Sequence, residues 1–273
     1  MPGIRYQEVA VTLAKAWRVA PRVYLTGRIT VERAGRAVGE PRLPGRQGRR
    51  AFAYLVLERP RPVPIDELAL AVWGTGEPSG AWETALSAIV SKLRAALRWL
   101  ALDARAITAT SGCYRLVLPT GSWVDVEAAR RALDEAEGHA RARRFARAWG
   151  PANVAASITE RPFLAGDDVE WISRVRTSLR DSRVRALECL AAVASVNGEH
   201  PLAARLARDV VELEPFRETG WQRLMRALAD GGNRAEALRA YGECRALMAR
   251  ELGVAPSPET AGIAAALGIS EPR

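Results

Sequence analysis

Apolar and polar positions recur with two different periods along this chain. Between Ala81 and Leu100 the period is helical: placed at about 100° per residue, Trp82, Leu86, Ile89, Val90, Leu93, Ala96, Leu97 and Leu100 fall in one arc. That arc predicts a buried helix face. The opposite arc carries Glu83, Thr84, Ser87, Ala88, Ser91, Lys92, Arg94 and Arg98, small side chains in the first turns and cations in the later ones. Upstream, Val23 to Val38 alternates apolar and polar residues around a turn at Arg33-Ala34-Gly35, which predicts a hairpin or small meander with Val23, Leu25, Ile29 and Val31 inward. Leu43-Pro44-Gly45 opens a further segment with a buried stripe of Ala51, Tyr54, Leu55 and Leu57 behind Arg46, Arg49 and Arg50. Prolines make residues 59–64 a loop. Ile65–Trp73 reads as a short helix with acids in its first turn, and Gly74–Gly80 as a loop. Ile107–Thr110 and Tyr114–Leu118 are strand-like around Ser111-Gly112. At the N-terminus, Val9, Leu13, Trp17 and Ala20 predict a short amphipathic helix ending at Pro21.

The second half has a longer period. Leu187 and Trp221, Leu190 and Leu224, Ala194 and Leu228, Gly198 and Gly232, Ala203 and Ala237, Ala207 and Tyr241 are each 34 residues apart, the repeat of tetratricopeptide helix pairs. Two units are visible, with glycine punctuating each hairpin and small alanines letting its helices approach. Helices around Val126–Trp149 and Asp168–Val196 complete an α-helical bundle or short solenoid, an architecture that binds proteins more often than it performs chemistry.

Charge separates the halves. Residues 1–118 carry 18 basic and 9 acidic side chains, a net of +9, whereas the remaining residues carry 22 of each. This predicts a polyanion-binding module followed by a unit with another role. Thirty-eight of the 40 cations are arginine, a bias that GC-rich coding also produces. The three cysteines (Cys113, Cys189, Cys244) and two histidines (His139, His200) lie too far apart in sequence for a zinc site or disulfide framework, and no cofactor is expected. Asp167, Asp168 and Glu170 read as an acidic helix N-terminus rather than a metal site. Gly45 to Arg50 lacks the Gly-Lys-Ser/Thr ending of a phosphate loop. Trp73, Trp82 and Trp99 read as packing residues, since a duplex offers no unstacked bases. With neither a catalytic constellation, a signal-peptide pattern nor a membrane-length apolar run, the expectation is a non-enzymatic cytoplasmic protein that does not engage membranes.

Strands, three helices and a closing hairpin follow the order of a winged helix-turn-helix. The expected fold is therefore an α+β winged helix-turn-helix domain over residues 22–118, then an all-α tetratricopeptide-like domain over 119–273, with 1–21 as an N-terminal extension. LPGRQGRRAFAYLVLERPRPVPIDELALAVWG, LSAIVSKLRAAL and YRLVLP resemble the OmpR-type winged helix at the front of SARP-family activators of secondary-metabolite pathways. WVDVEAARRAL, the segment from Pro162 to Ala191 and that from Val210 to Thr260 resemble the bacterial transcriptional activation domain that follows it. In this family glycine usually precedes the wing tyrosine. Here the pair is Cys113-Tyr114, with Gly112 one position earlier.

The pattern and the resemblance together predict a sequence-specific DNA-binding activator of an antibiotic-type gene cluster. Thr84, Ser87, Ala88 and Ser91 would approach base edges, while Lys92, Arg94 and Arg98 would reach phosphate or guanine. Arg115 would touch the minor groove or its backbone. Arg46, Arg49 and Arg50 are read either as phosphate contacts or as solvated arginines. The resemblance further implies a homodimeric side-by-side pair on direct repeats of double-stranded DNA. It also implies a polymerase-contacting loop at Trp73, Gly74, Thr75, Glu77 and Pro78, facing the sigma factor and α subunit of RNA polymerase, and a nucleoid-associated cytoplasmic location. Two alternatives stay open: a helical-repeat interaction protein whose winged domain is not the main DNA reader, and a regulator whose helical half senses a small molecule.

Overall fold

A computed structural model describes residues 20–75, 80–103 and 106–268. The N-terminal helix predicted before Pro21 lies, but for its last residues, outside the described residues, as do Glu77 and Pro78. Packing groups the chain into two compact units. One comprises the described residues up to Ala128 together with Arg161–Thr177, and the other Ala129–Glu160 with the residues from Ser178 onward. The sequence pattern places its boundary between residues 118 and 119 and gives no sign that Arg161–Thr177 belongs with the first unit.

The first unit begins with β1 (Arg22–Tyr24), β2 (Thr30–Arg33) and β3 (Arg36–Gly39), an antiparallel meander that registers Val23 with Val31 and Val31 with Val38. Val23, Leu25, Ile29 and Val31, the inward set expected from the alternation, are all buried, and Val38 is buried with them. Three helices follow: α1 (Gly45–Leu57), α2 (Ile65–Trp73), which is preceded by the short strand β4 (Val63–Pro64), and α3 (Trp82–Trp99). Phe52, Leu55, Leu68, Leu86, Leu93 and Leu97 fill the space between them. The buried stripe of α1 is wider than predicted, since Phe52, Ala53 and Val56 are buried while Tyr54 and Leu57 are half-exposed. A Cβ on Gly48 would lie 2.2 Å from Cγ of Pro44, so this glycine lets the helix start close against the proline and is not part of a phosphate cradle.

The wing is β4 with β5 (Ile107–Thr110) and β6 (Cys113–Leu116), in the order β4-β6-β5. Ser111 and Gly112 take φ of 50° and 71° between the paired residues Thr110 and Cys113, a two-residue turn of the primed type that matches strand twist. Gly112 thus supplies the left-handed residue. Cys113 is an ordinary strand residue, so its replacement of the family glycine leaves the wing intact.

The strand β7 (Trp123–Val124) runs parallel to β1, giving the sheet order β3-β2-β1-β7, and leads directly into α4 (Asp125–Arg141). Asp125 is fully buried and accepts hydrogen bonds from Leu25 N (3.0 Å), Thr26 N (2.9 Å), Thr26 Oγ1 (2.7 Å) and Val126 N (2.8 Å). One carboxylate therefore neutralises the first N–H of its own helix and the open end of β1. Segment 161–177 is held by Trp171, whose Nε1 donates to Ala71 O at 2.9 Å and whose ring meets Tyr54 and Phe163 edge-on at 5.1 and 5.9 Å.

The second unit is helical: the rest of α4, α5 (Phe145–Thr159), most of α6 (Glu170–Val196), α7 (His200–Leu213), α8 (Glu218–Asp230), α9 (Arg234–Leu252) and α10 (Pro258–Ala266). The segment predicted as one helix over Val126–Trp149 is two, broken at Arg143. Its turn repeats those at Gly198 and Gly232. Arg143 N bonds Ala140 O (2.9 Å) and Arg144 N bonds His139 O (2.9 Å), as Gly198 N bonds Ser195 O (3.1 Å) and Glu199 N bonds Ala194 O (2.9 Å). Five residues beyond each turn, Ala148, Ala203 and Ala237 are wholly buried, and Ala152, Ala207 and Tyr241 are buried four residues further on. Among the described residues the unit therefore has three such hairpins, one more than the 34-residue period reveals. The first turn precedes the second by 55 residues, 17 of them in segment 161–177 of the other unit.

Candidate nucleic-acid interface

Helix α3 forms as its pattern predicts. Leu86, Ile89, Val90, Leu93, Ala96 and Leu97 are buried and Trp82 is half-buried, while Thr84, Ser87, Ala88, Ser91, Lys92 and Arg98 are exposed on the other side. Positions 84, 87, 88 and 91 follow helical spacing, so these four small side chains form one strip along which the backbone can come close to a groove. Lys92 and Arg98 continue that face, with no ion pair among the described residues.

Arg94 behaves differently. Half-buried, it donates from Nε to Ile107 O at 2.9 Å, fastening α3 to the wing strand β5. It is thus a positioning residue for the helix, not the free cation expected from the helical wheel.

The arginines at the start of α1 are likewise bonded to groups of the fold. Arg50 is 8% exposed, its Nε lying 2.7 Å from Asp167 Oδ1 and its Nη1 2.8 Å from Val72 O. Arg46 shares the same carboxylate and bonds Gly166 O at 2.7 Å, and Arg49 pairs with Glu40 at 3.2 Å. Neither the phosphate-contact nor the solvated reading therefore holds for Arg50: burial beside a carboxylate makes it a structural cation. Asp167, read from the sequence as part of an acidic helix start, is the buried partner. Only its neighbours Asp168 and Glu170 are exposed.

Arg115 is exposed on β6, with one long hydrogen bond to Pro60 O at 3.4 Å. The turn itself, Thr110 to Cys113, carries no cation. Of the predicted polymerase loop, Trp73 ends α2 half-buried, Gly74 turns the chain at φ 76° and Thr75 is exposed. Beside it opens a cavity of about 260 Å³ lined by Tyr54, Glu67, Leu70, Thr75 and Trp171 among others. There Tyr54 donates to Glu67 at 2.5 Å, and burial, followed by that bond, pushes the phenol up to about 12.

One cluster escapes the sequence reading. Trp99, read as a packing residue, is half-exposed at the end of α3, with the Arg42 guanidinium 4.1 Å and the Arg36 guanidinium 5.8 Å from its ring. Arg36 also reaches Trp99 O at 3.3 Å, and Arg33 reaches Leu100 O at 3.2 Å. Two arginines of the β2–β3 hairpin thereby satisfy carbonyls that the last turn of α3 leaves open, where positive charge also meets the negative end of the helix dipole. No local pattern announces this, because residues 33–42 and 98–100 meet only in the fold.

Among the described residues, no His, Cys, Asp and Glu grouping could hold a metal ion, and no helix is long and apolar enough to cross a membrane.

Residues 124–267, more than half of the chain, match the bacterial transcriptional activator domain. The chain belongs to that family. Its arrangement, a winged helix followed by the activator domain, is that of SARP-type regulators. The transcriptional regulatory protein EmbR of Mycobacterium tuberculosis is 30% identical over 220 residues, which cover 77% of this chain and 54% of EmbR. The regulatory protein AfsR of Streptomyces coelicolor is 30% identical over 222 residues, 81% of this chain and 21% of AfsR. The chain thus spans about half of the first relative and a fifth of the second. The structure of M. tuberculosis EmbR in complex with a low affinity phosphopeptide superposes with a TM-score of 0.78 at 25% identity, covering 92% of this activator-domain protein and 65% of that chain.

Proposed function

We propose that this protein binds duplex DNA sequence-specifically through α3 and activates transcription from promoters of a secondary-metabolite, antibiotic-type gene cluster. The observation that carries the reading is the face of α3. Thr84, Ser87, Ala88 and Ser91 are exposed together without long side chains over them, and Lys92 and Arg98 stand beyond them with no ion pair among the described residues. Membership in the activator-domain family and the regulatory relatives support it. The small residues give close approach to base edges, and the cations supply attraction to phosphate that does not depend on sequence. On the family arrangement, two copies lie side by side on direct repeats within the cytoplasmic nucleoid. The Gly74–Gly80 loop then faces the sigma factor and α subunit of RNA polymerase.

Selection of bound sequences from a random duplex pool, followed by a salt titration on the winning site, tests the reading. Neutralising five to seven phosphates gives a log–log slope of about −4 to −6. A slope near zero, or a pool without enrichment, rejects it. For the loop, Glu77→Ala or Pro78→Ala is expected to lower transcription in a reconstituted system while leaving DNA affinity intact. Equal loss of both rejects that assignment.

A further inference from the structure

In the helical unit several arginines pair with acids: Arg185 with Glu137 at 2.8 Å, Arg217 with Glu188 at 2.9 Å and Arg183 with Glu160 at 3.0 Å. The turn between α4 and α5 instead gathers unpaired arginines close together. Arg143, Arg144 and Arg147 are exposed and make no ion pair among the described residues, and Arg141 beside them has only a 3.5 Å approach to Glu137. No acid lies in the first turn of α5, so three like charges sit at the positive end of a helix dipole.

The backbone makes the same point independently. The three hairpin turns of this unit share one hydrogen-bond pattern, and each places a residue in the left-handed region. Two of them use glycine, Gly198 at φ 77° and Gly232 at φ 80°, but the first uses Arg143 at φ 54°. A side chain there is strained where glycine is not. The residues that follow the glycines, Glu199 and Asn233, carry no positive charge, whereas Arg144 follows Arg143. This turn therefore combines backbone strain with self-repulsion, at a site where its sister turns have neither. An anion held by the guanidinium groups would relieve the repulsion, and planar arginine forks match phosphate oxygens.

We propose that the α4–α5 turn is a second nucleic-acid contact, in which Arg143, Arg144 and Arg147 hold the phosphate backbone of duplex DNA without reading its sequence. This rests on the DNA-binding reading of α3. It adds that the activator domain, whose net charge is zero, contributes to the electrostatic hold through one concentrated patch.

The test is fluorescence anisotropy of the full chain on a labelled duplex carrying the selected site with flanks on both sides, repeated across salt concentrations. The variant Arg143→Ala/Arg144→Ala/Arg147→Ala is expected to bind more weakly at every low salt concentration. Its log–log slope should be shallower by about 2 to 3, near 0.9 for each phosphate that is no longer neutralised. The ratio of affinities for selected and scrambled sites should stay unchanged. Arg143→Gly keeps the turn and removes its strain; it is expected to melt higher than the wild type and to flatten the slope by about 0.9. It also serves as the readout if the triple variant fails to fold. Wild-type slope and affinity in a folded triple variant, or in Arg143→Gly when the triple does not fold, overturn the proposal and assign the patch to an acidic protein partner. A wild-type slope near zero overturns instead the DNA-binding reading beneath it.

Discussion

Arg50 and Asp167, 117 residues apart in the chain, form an ion pair at 2.7 Å in which the arginine side chain is 10% and the aspartate side chain 1% exposed. Such a pair is worth little against an apolar replacement, but removing one partner strands the other charge. Asp167→Ala is therefore expected to cost about 3–5 kcal/mol, read as a fall in denaturation midpoint. Arg50→Met with Asp167→Leu should recover most of that loss. Arg46→Ala, removing a half-exposed guanidinium from the same carboxylate, should cost under about 1 kcal/mol. Equal effects from Asp167→Ala and Arg46→Ala would show that the pair is not what holds α1 to the 161–177 segment.

Two arginines one turn apart on α3 are expected to behave oppositely. Arg94 bonds Ile107 O, so Arg94→Ala should lower stability by about 1 kcal/mol. Arg98 is exposed and makes no ion pair among the described residues, so Arg98→Ala should leave stability within about 0.5 kcal/mol but flatten the salt dependence of DNA binding by about 0.9. Thermal melts and salt titrations on the two variants separate these roles. An unshifted melt for Arg94→Ala would return it to the set of free DNA-contacting cations.

These two arginines also mark where sequence reading stops. The faces of α3 are legible because helical periodicity is a local property, and the Ser111-Gly112 turn because its φ demands are local too. Whether a cation on the polar face is free depends on what the fold brings beside it. Asp167 beside Arg50 and Ile107 O beside Arg94 are tertiary facts that no spacing encodes. The α4–α5 hairpin is hidden for two reasons: Arg143 stands where glycine marks the other turns, and its turn lies 55 residues before Gly198, with segment 161–177 of the other unit in between. Trp99 reads as a packing residue, and only the fold shows that what packs on its ring is Arg42.

Acid is expected to destabilise the helical unit in part through Glu137. Arg185 holds this carboxylate through two bonds of 2.8 Å, and that pairing, against the opposing effect of burial, keeps its pKa below the ordinary 4.5. Because the folded value is the lower one, the stabilisation is complete above the unfolded pKa and is lost as pH falls through the folded pKa. Melting temperature should therefore decline as pH drops below 4.5, and less steeply in Glu137→Gln, which should already melt lower at neutral pH. Parallel declines for the two proteins would remove Glu137 from the acid response.

The division of α3 into a base-facing start and a cationic end predicts a separation of specificity from affinity. Thr84 and Ser87 are exposed, short and hydrogen-bonding, whereas neither the opposite face nor the Arg36–Trp99–Arg42 cluster offers such groups. Replacing Thr84 by Val or Ser87 by Ala should change which sequences are selected from a random pool, with about 1–3 kcal/mol of discrimination lost at the affected base pair. The salt slope should not move, since neither change removes a cation from the phosphates. Lys92→Ala should do the reverse, weakening selected and scrambled duplexes alike. If instead Ser87→Ala flattens the slope and Lys92→Ala shifts the preferred sequence, α3 meets DNA with its cationic end toward the bases, and the direction of the helix in the groove must be reversed.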